Sequence, residues 1–231
     1  MTTDLTYQNL SFSLSEIHHS YGENIHLISS PALLSLLAQL GHPETFQPKL
    51  NFLIEQMYSR LLDLVIDDIF PKINRHITTR MNSLHKEGVF SGTVIDEKTS
   101  CVVVDLARAG TLPSQICFQK LNYYLSPSQV RQDHFYISRM TSAEGKVTGA
   151  DISGSKIGGD VEKSIVLFPD PMGATGGTIK EVYEHYKNNV EGSPLKMIAL
   201  HLIVTPEYLK KISQECPDLH VYCLRLDRGL S

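Results

Sequence analysis

Nowhere in the 231 residues does an apolar run approach the ~20 positions that a membrane-spanning helix needs; long stretches such as 197–200 and 202–204 are parted by His201. The first 20 residues lack a basic start followed by an apolar core, so no secretory signal is read there and the sequon Asn9-Leu10-Ser11 is expected to stay idle. Cysteine is scarce: Cys101, Cys117, Cys216 and Cys223 show neither a CxxC pair nor a framework spacing, as expected of reduced thiols in a cytoplasmic protein. Basic charge is not in excess, with 21 Lys and Arg against 25 Asp and Glu and no long basic run. That balance argues against nucleic acid or an anionic membrane as partner and for a small molecule. Low-complexity tracts and internal repeats are also missing. With 42% hydrophobic residues, 15 Gly and 11 Pro, the collagen-like, disordered and disulfide-scaffold classes fall away. A single domain over residues 1–231 is expected, long enough to bury roughly 70% of its unfolded surface without metals or bridges.

Two kinds of periodicity follow one another along the chain. Ser30-Pro31, the apolar stretch 32–40 and Gly41 read as a short helix, with a serine cap, a first-turn proline and a glycine exit. Leu50, Leu53, Ile54, Met57, Leu61, Leu64 and Val65 form one stripe of a second helix that Pro71 closes, so residues 1–88 are expected to be a helical N-terminal part. From residue 89, β-branched runs at 89–95, 101–106, 134–138, 164–169, 196–204 and 219–224 alternate with helical stretches at 112–124, 178–190 and 206–215. Residues 89–231 therefore predict an α/β core, a mostly parallel central sheet flanked by helices. Ligands of such sheets sit beyond the carboxyl ends of the strands, which selects the loops after Leu106, Ser138, Phe168 and Val204. Residues 141–160, with five glycines and no apolar period, are expected to form a long lid or binding loop.

The run Ser164-Ile165-Val166-Leu167-Phe168 passes directly into Pro169-Asp170-Pro171-Met172-Gly173-Ala174-Thr175-Gly176-Gly177-Thr178, and a helix begins there. Glycines let backbone N–H groups approach an anion, Thr175 and Thr178 add hydroxyl donors, and the helix contributes its positive end. Asp170, repelled by a phosphate, suits neutral hydroxyls instead. A sugar phosphate has both. The spacing matches neither a Walker loop nor a GxGxxG fingerprint. The plain alternative is a tight strand-to-helix turn, which the glycines alone would allow. Cys216, His220 and Cys223 offer three soft ligands without a fourth, and buried thiols are the better reading.

Asp170-Pro171-Met172-x-Ala174-Thr175-Gly176-Gly177-Thr178 resembles the phosphoribosyl-pyrophosphate motif of the uracil phosphoribosyltransferases, which have the type I phosphoribosyltransferase fold. Asp105-Leu106-Ala107-Arg108-Ala109-Gly110 is similar to the family's pyrophosphate loop. Ile137-Ser138-Arg139 resembles the start of its flexible hood loop, and Lys156 falls where that loop returns. The resemblance implies a pentosyltransferase that moves ribose 5-phosphate from phosphoribosyl pyrophosphate to a pyrimidine-like nucleobase and releases pyrophosphate. It implies that Met172, Gly173, Ala174, Thr175, Gly176, Gly177 and Thr178 line the sugar-phosphate site. Asp170 would hold the ribose hydroxyls, and Arg108, Ala109 and Gly110 the pyrophosphate. Arg139 and Lys156 would close over it, Asp170 and Arg108 would be the catalytic groups, and Mg²⁺ would be held through substrate and water. A homodimer is expected.

The sequence departs from the family pattern at several places. Met140 stands where the hood loop carries an acid, Thr111-Leu112-Pro113 replaces a glycine-rich continuation, and Gly41-His42 an arginine-containing segment. The family's glycine- and aspartate-rich uracil-binding stretch has no counterpart after residues 226–231. A second reading is therefore a non-catalytic protein that binds a phosphorylated ribose for sensing or regulation, or a transferase with another acceptor. Residues 70–88, with Lys72, Arg75, His76, Arg80, His85 and Lys86, are longer than the family's segment: a solvated basic face, or substitute contacts. Taken singly, Arg108 reads as a structural ion-pair partner and Lys156 as a solvated charge; only their order around Asp170 raises them.

Overall fold

The fold is taken from a computed structural model, which describes residues 4–141 and 147–229; the side chains of Asp4, 139–141 and 147–150 lie outside that description. In chain order the elements are α1 (Asp4–Gln8), β1 (Ile25–Leu27), α2 (Pro31–Leu40), α3 (Lys49–Ile69), β2 (Lys72–Thr78) and β3 (Val89–Ile95). Then come β4 (Cys101–Ala107), α4 (Thr111–Leu121), β5 (Val130–Thr141), β6 (Val147–Lys156), β7 (Ile165–Pro169) and β8 (Met172–Gly173). The chain finishes with α5 (Gly177–Asn189), β9 (Lys196–Val204), α6 (Pro206–Glu215) and β10 (Leu219–Leu226).

The central sheet runs β1-β10-β9-β7-β4-β5-β6, with β8 added beside β9. Every pairing is parallel except β5 with β6. Strands β4 and β7 are almost wholly apolar because both faces are covered. Val103, Leu167 and Leu200 face α2, α3 and α4; Val102, Val104, Phe168 and Ala199 face α5 and α6. The expected helices form as read: Ser30 accepts from the Leu33 N–H at 3.3 Å. The α3 stripe buries Leu53, Met57, Leu61 and Val65. No described helix is long and apolar enough to cross a membrane.

Three expectations are corrected. Residues 1–88 are not purely helical: β1 is an edge strand paired with β10, and β2 is a second strand. Three residues are too few to show a period, and in β2 the polar side chains of Lys72, Arg75 and His76 mask the alternation of Ile73 and Ile77. Residues 89–95 do not join the central sheet; they pair antiparallel with β2 in a separate ribbon, Lys72 opposite Ile95 and Thr78 opposite Val89. Finally, much of 141–160 is strand, since β6 returns antiparallel along β5. A ladder of backbone hydrogen bonds needs no apolar period, so the glycine-rich composition concealed it. Residues 142–146 and the side chains of Arg139 and Met140 lie outside the description.

Candidate functional site

The acid-bearing loop is held almost entirely through its backbone. The Asp170 N–H donates to the Leu200 carbonyl at 3.0 Å, continuing the ladder one residue past β7, and one Asp170 side-chain oxygen accepts from the Met172 N–H at 3.2 Å. That turn sets the carboxylate. The Pro171 carbonyl accepts from the N–H groups of Leu202 and Ile203 at 3.1 and 3.2 Å, and β8 then follows β9. Thr205, the cap of α6, donates its N–H to the Gly173 carbonyl at 3.0 Å and its hydroxyl to the Ala174 carbonyl. Gly176 has φ +78°, a left-handed turn that glycine makes without a Cβ penalty, and α5 starts at the next residue. Glycine is required at position 173 for another reason: a Cβ there would stand 2.9 Å from the Tyr208 ring.

Across from it, β4 turns into α4 through Ala107 to Gly110. The Ala107–Arg108 peptide is cis. The Gly110 N–H donates to the Leu106 carbonyl at 3.0 Å and the Thr111 N–H to that of Arg108 at 3.2 Å, leaving Arg108 and Ala109 exposed on the turn. Below the turn, Asp105 is buried. It accepts from the Thr111 hydroxyl at 3.0 Å and lies 3.1 Å from His134 Nδ1.

These loops share a cleft of about 950 Å³ at the carboxyl ends of β4 and β7. Leu106, Ala107, Arg108 and Ala109 line one side, Asp170 and Thr178 another, and Tyr136, Ile137, Ser138 and Ser153 of the β5–β6 ribbon the third. The expected residues Asp170, Thr178, Arg108 and Ala109 are thus brought together. Gly110 and Gly173 shape the walls from beneath, and Thr175 and Met172 are exposed on the loop. Lys156 is exposed, opposite His134 in register, and is not among the residues described as lining the cleft. Among the charges of residues 70–88, Arg75 pairs with Glu97 at 2.7 Å on the separate ribbon. Tyr136 and Ser153 escaped the sequence reading, although the loop after Ser138 had been selected. Ser153 donates its hydroxyl to the Tyr136 carbonyl at 3.0 Å, a cross-strand contact visible only once β6 is paired.

Behind the Asp170 loop, Tyr58, Tyr208 and His201 are held neutral. Burial holds the Tyr58 and Tyr208 hydroxyls well above the usual phenol range, with the charge of Asp170 adding to the effect, and Tyr58 donates to the Leu200 carbonyl at 3.2 Å. Burial lowers His201 to about 4. For a metal, the described lining offers one carboxylate, Asp170. One carboxylate beside a donor-lined loop suits a Mg²⁺ ion carried on substrate phosphates. Cys223 and His220, three residues apart on β10, point to opposite faces of the sheet.

A sequence model of the family described as uracil phosphoribosyltransferase matches residues 27–231. A uracil phosphoribosyltransferase of Thermococcus sibiricus is 30% identical over 142 residues, 61% of this chain and 56% of that protein. One from Aquifex aeolicus is 30% identical over 104 residues, 43% and 38% of the two chains. The chain thus spans about half the length of the curated relatives it matches. Among solved structures, a protein of Aquifex aeolicus superposes with a TM-score of 0.72 at 22% identity, covering 90% of this chain and 89% of that one. The adenine phosphoribosyl transferase of Trypanosoma brucei, in complex with AMP, pyrophosphate and ribose-5-phosphate, gives 0.56 at 12% identity over 95% and 90%. These two likenesses establish the type I phosphoribosyltransferase fold. With the family model covering all but the first 26 residues, the chain belongs to the uracil phosphoribosyltransferase family.

Proposed function

We propose that the protein transfers ribose 5-phosphate from phosphoribosyl pyrophosphate to a pyrimidine-like nucleobase and releases pyrophosphate. The observation that carries this reading is the facing of two loops across one cleft: the acid and hydroxyl end of Asp170 to Thr178, and the exposed turn at Arg108 and Ala109. Their chemistry suits the two ends of one substrate. The loop from Ala174 to Thr178 would cradle the 5-phosphate, with the N-terminus of α5 behind it. Asp170 would hold the ribose hydroxyls, and Arg108, Ala109 and Gly110 the pyrophosphate.

Cleavage of the C1–O bond leaves a cationic sugar and a departing polyanion. Asp170 places negative potential near the first, and the Arg108 turn places donors and a cation near the second. Losing one such preorganised donor costs on the order of 3 kcal/mol in the transition state. Mg²⁺, held by substrate oxygens and water beside Asp170, would neutralise charge on the pyrophosphate. The β5–β6 ribbon, bearing Arg139 and Lys156, would cover the substrate and exclude water that otherwise hydrolyses the activated sugar. A homodimer and a cytoplasmic setting, in the service of pyrimidine salvage, belong to the same reading. Two-fold dimers are the commonest soluble oligomers, and all four cysteines are free and buried.

The test is binding of phosphoribosyl pyrophosphate with Mg²⁺, followed by pyrophosphate release over a panel of nucleobases. Release with one base is expected. Binding without release on any base overturns the transferase reading in favour of a non-catalytic ribose-phosphate binder, and absence of binding overturns both.

A further inference from the structure

The two backbone groups of Asp170 are fixed in different ways. Its N–H joins the sheet ladder, but its carbonyl is met by a side chain, His201 Nδ1 at 2.6 Å. A carbonyl oxygen only accepts, so the imidazole proton sits on Nδ1 and the lone pair on Nε2. Nε2 lies 2.6 Å from the Tyr208 hydroxyl, which therefore donates to it. The whole arrangement is dry: His201 and Tyr208 are both fully buried. The titratable groups facing the ring are Asp170 from the end of β7, Tyr208 from α6, and Cys223, the register partner of His201 on β10. Burial pushes the Cys223 thiol up to about 12 and holds the Tyr208 hydroxyl protonated, so the neighbours on α6 and β10 are uncharged.

The Tyr208 ring has a second contact with the same loop. It lies under Gly173, where a Cβ would meet it at 2.9 Å, and within 3.5 Å of a Cβ placed on Gly176. Tyr208 is itself fixed, because its N–H donates to the Thr205 hydroxyl at 3.1 Å and Thr205 holds the Gly173 and Ala174 carbonyls. One end of α6 thus grips the loop at Asp170, at Gly173 and at Ala174. Two buried polar side chains inside an otherwise apolar layer cost free energy unless their hydrogen bonds are made, and here the bonds they make end on Asp170.

We propose that His201 and Tyr208 are positioning residues, a neutral relay that orients the Asp170 peptide and so aims its carboxylate at the ribose hydroxyls. The inference rests on the sugar-phosphate reading of the cleft. Without the donor from position 201 the Asp170 carbonyl loses that contact and the peptide can shift between its fixed neighbours, and a misplacement of about an ångström costs ~10²-fold in well-aligned chemistry.

The test compares the full-length protein with His201→Leu, His201→Asn and Tyr208→Phe variants, using ribose 5-phosphate as the probe in calorimetry. His201→Leu is expected to weaken binding at least about tenfold, and His201→Asn, whose amide N–H occupies the place of Nδ1, to restore most of it. Tyr208→Phe keeps the ring under Gly173 but removes the donor to Nε2. The imidazole then loses the hydroxyl that fixes its ring, so binding is expected to weaken in the same direction as in His201→Leu, but by less. Loss of packing alone would produce neither rescue by asparagine nor weaker binding in Tyr208→Phe, which keeps the ring. If His201→Leu does not fold, Tyr208→Phe and His201→Asn carry the comparison. Unaltered protein that binds no ribose 5-phosphate overturns the reading of the cleft and this inference with it. Unaltered protein that binds, with variants that bind equally, overturns the inference alone.

Discussion

Gly110 is pressed against the end of β7: a Cβ on residue 110 would lie 2.9 Å from the Pro169 carbonyl oxygen and 3.0 Å from the Leu106 N and O atoms. All three obstacles are backbone, so none can swing aside as a flexible side chain would. The Arg108 turn is therefore packed closely against the residue preceding Asp170, with no room for a side chain between the two halves of the cleft. Gly110→Ala should therefore destabilise the protein by about 1–3 kcal/mol, the usual cost of overpacking, and weaken pyrophosphate binding as the turn shifts. Urea unfolding and pyrophosphate calorimetry on the same preparation check both. A variant as stable and as tight-binding as its parent would show that the loops are not closely packed there.

The division of labour across the cleft can be read by replacing one side at a time. Asp170→Asn and Thr175→Ala should weaken ribose 5-phosphate binding and leave free pyrophosphate nearly unaffected, whereas Arg108→Ala should do the reverse. Hydrogen bonds to charged groups contribute about 1.5–3 kcal/mol, so each loss is expected to be roughly tenfold to a hundredfold. Calorimetric titration of the two ligands separately is the measurement. Equal losses for both ligands in every variant would contradict the assignment of opposite ends.

The sugar-phosphate half of the site was legible because its chemistry is contiguous. A buried strand, an acid, a glycine turn and two threonines all lie between Ser164 and Thr178. Arg108 carried no such local signal, and only the resemblance singled it out. Tyr136 and Ser153 are joined by a cross-strand contact, and nothing in a glycine-rich segment indicates its register. His201 looked like an interruption in an apolar run; its meaning depends on the carbonyl of a residue 31 positions away. The same limit explains β1, whose three residues form a strand only because β10 offers an edge.

The return of the β5–β6 ribbon hangs on one buried carboxylate. The Asp133 side chain is fully buried and accepts from Arg131 Nε at 3.1 Å, from the Gly158 N–H at 2.9 Å and from the Tyr186 hydroxyl at 2.8 Å. Arg131 also donates to the carbonyls of Asp160 and Gly159 at 2.7 and 3.0 Å, which fixes the chain just after β6. Arg131→Met should cost about 3–5 kcal/mol, because it leaves a buried charge without its cation. Tyr186→Phe should cost nearer 1.5–3 kcal/mol, the loss of one hydrogen bond to a charged group. Urea unfolding gives the totals. Hydrogen exchange should show β6 losing protection before β4 and β7, and uniform loss would rule out a local anchor.

Acid should unfold this protein earlier than its carboxylates alone would require. His201 and His220 are both lowered to about 4, His201 by burial and His220 by burial first and then by Lys196 and His26, with Asp68 opposing. The unfolded chain carries both near 6.5, so below that pH it binds more protons than the folded protein. Stability therefore rises with pH through the interval from about 4 to 6.5, is fully present above it, and is lost as pH falls. For the fully buried His201 the slope approaches ~1.4 kcal/mol per pH unit; the partly exposed His220 adds less. Asp67, raised by its own burial and by Asp63, acts in the opposite sense, because its folded form keeps a proton longer. Urea midpoints taken at intervals over that range should fall steadily toward acid, and His201→Asn should flatten the decline. A decline of the same slope in that variant would place the acid sensitivity elsewhere, in the carboxylates or in His220.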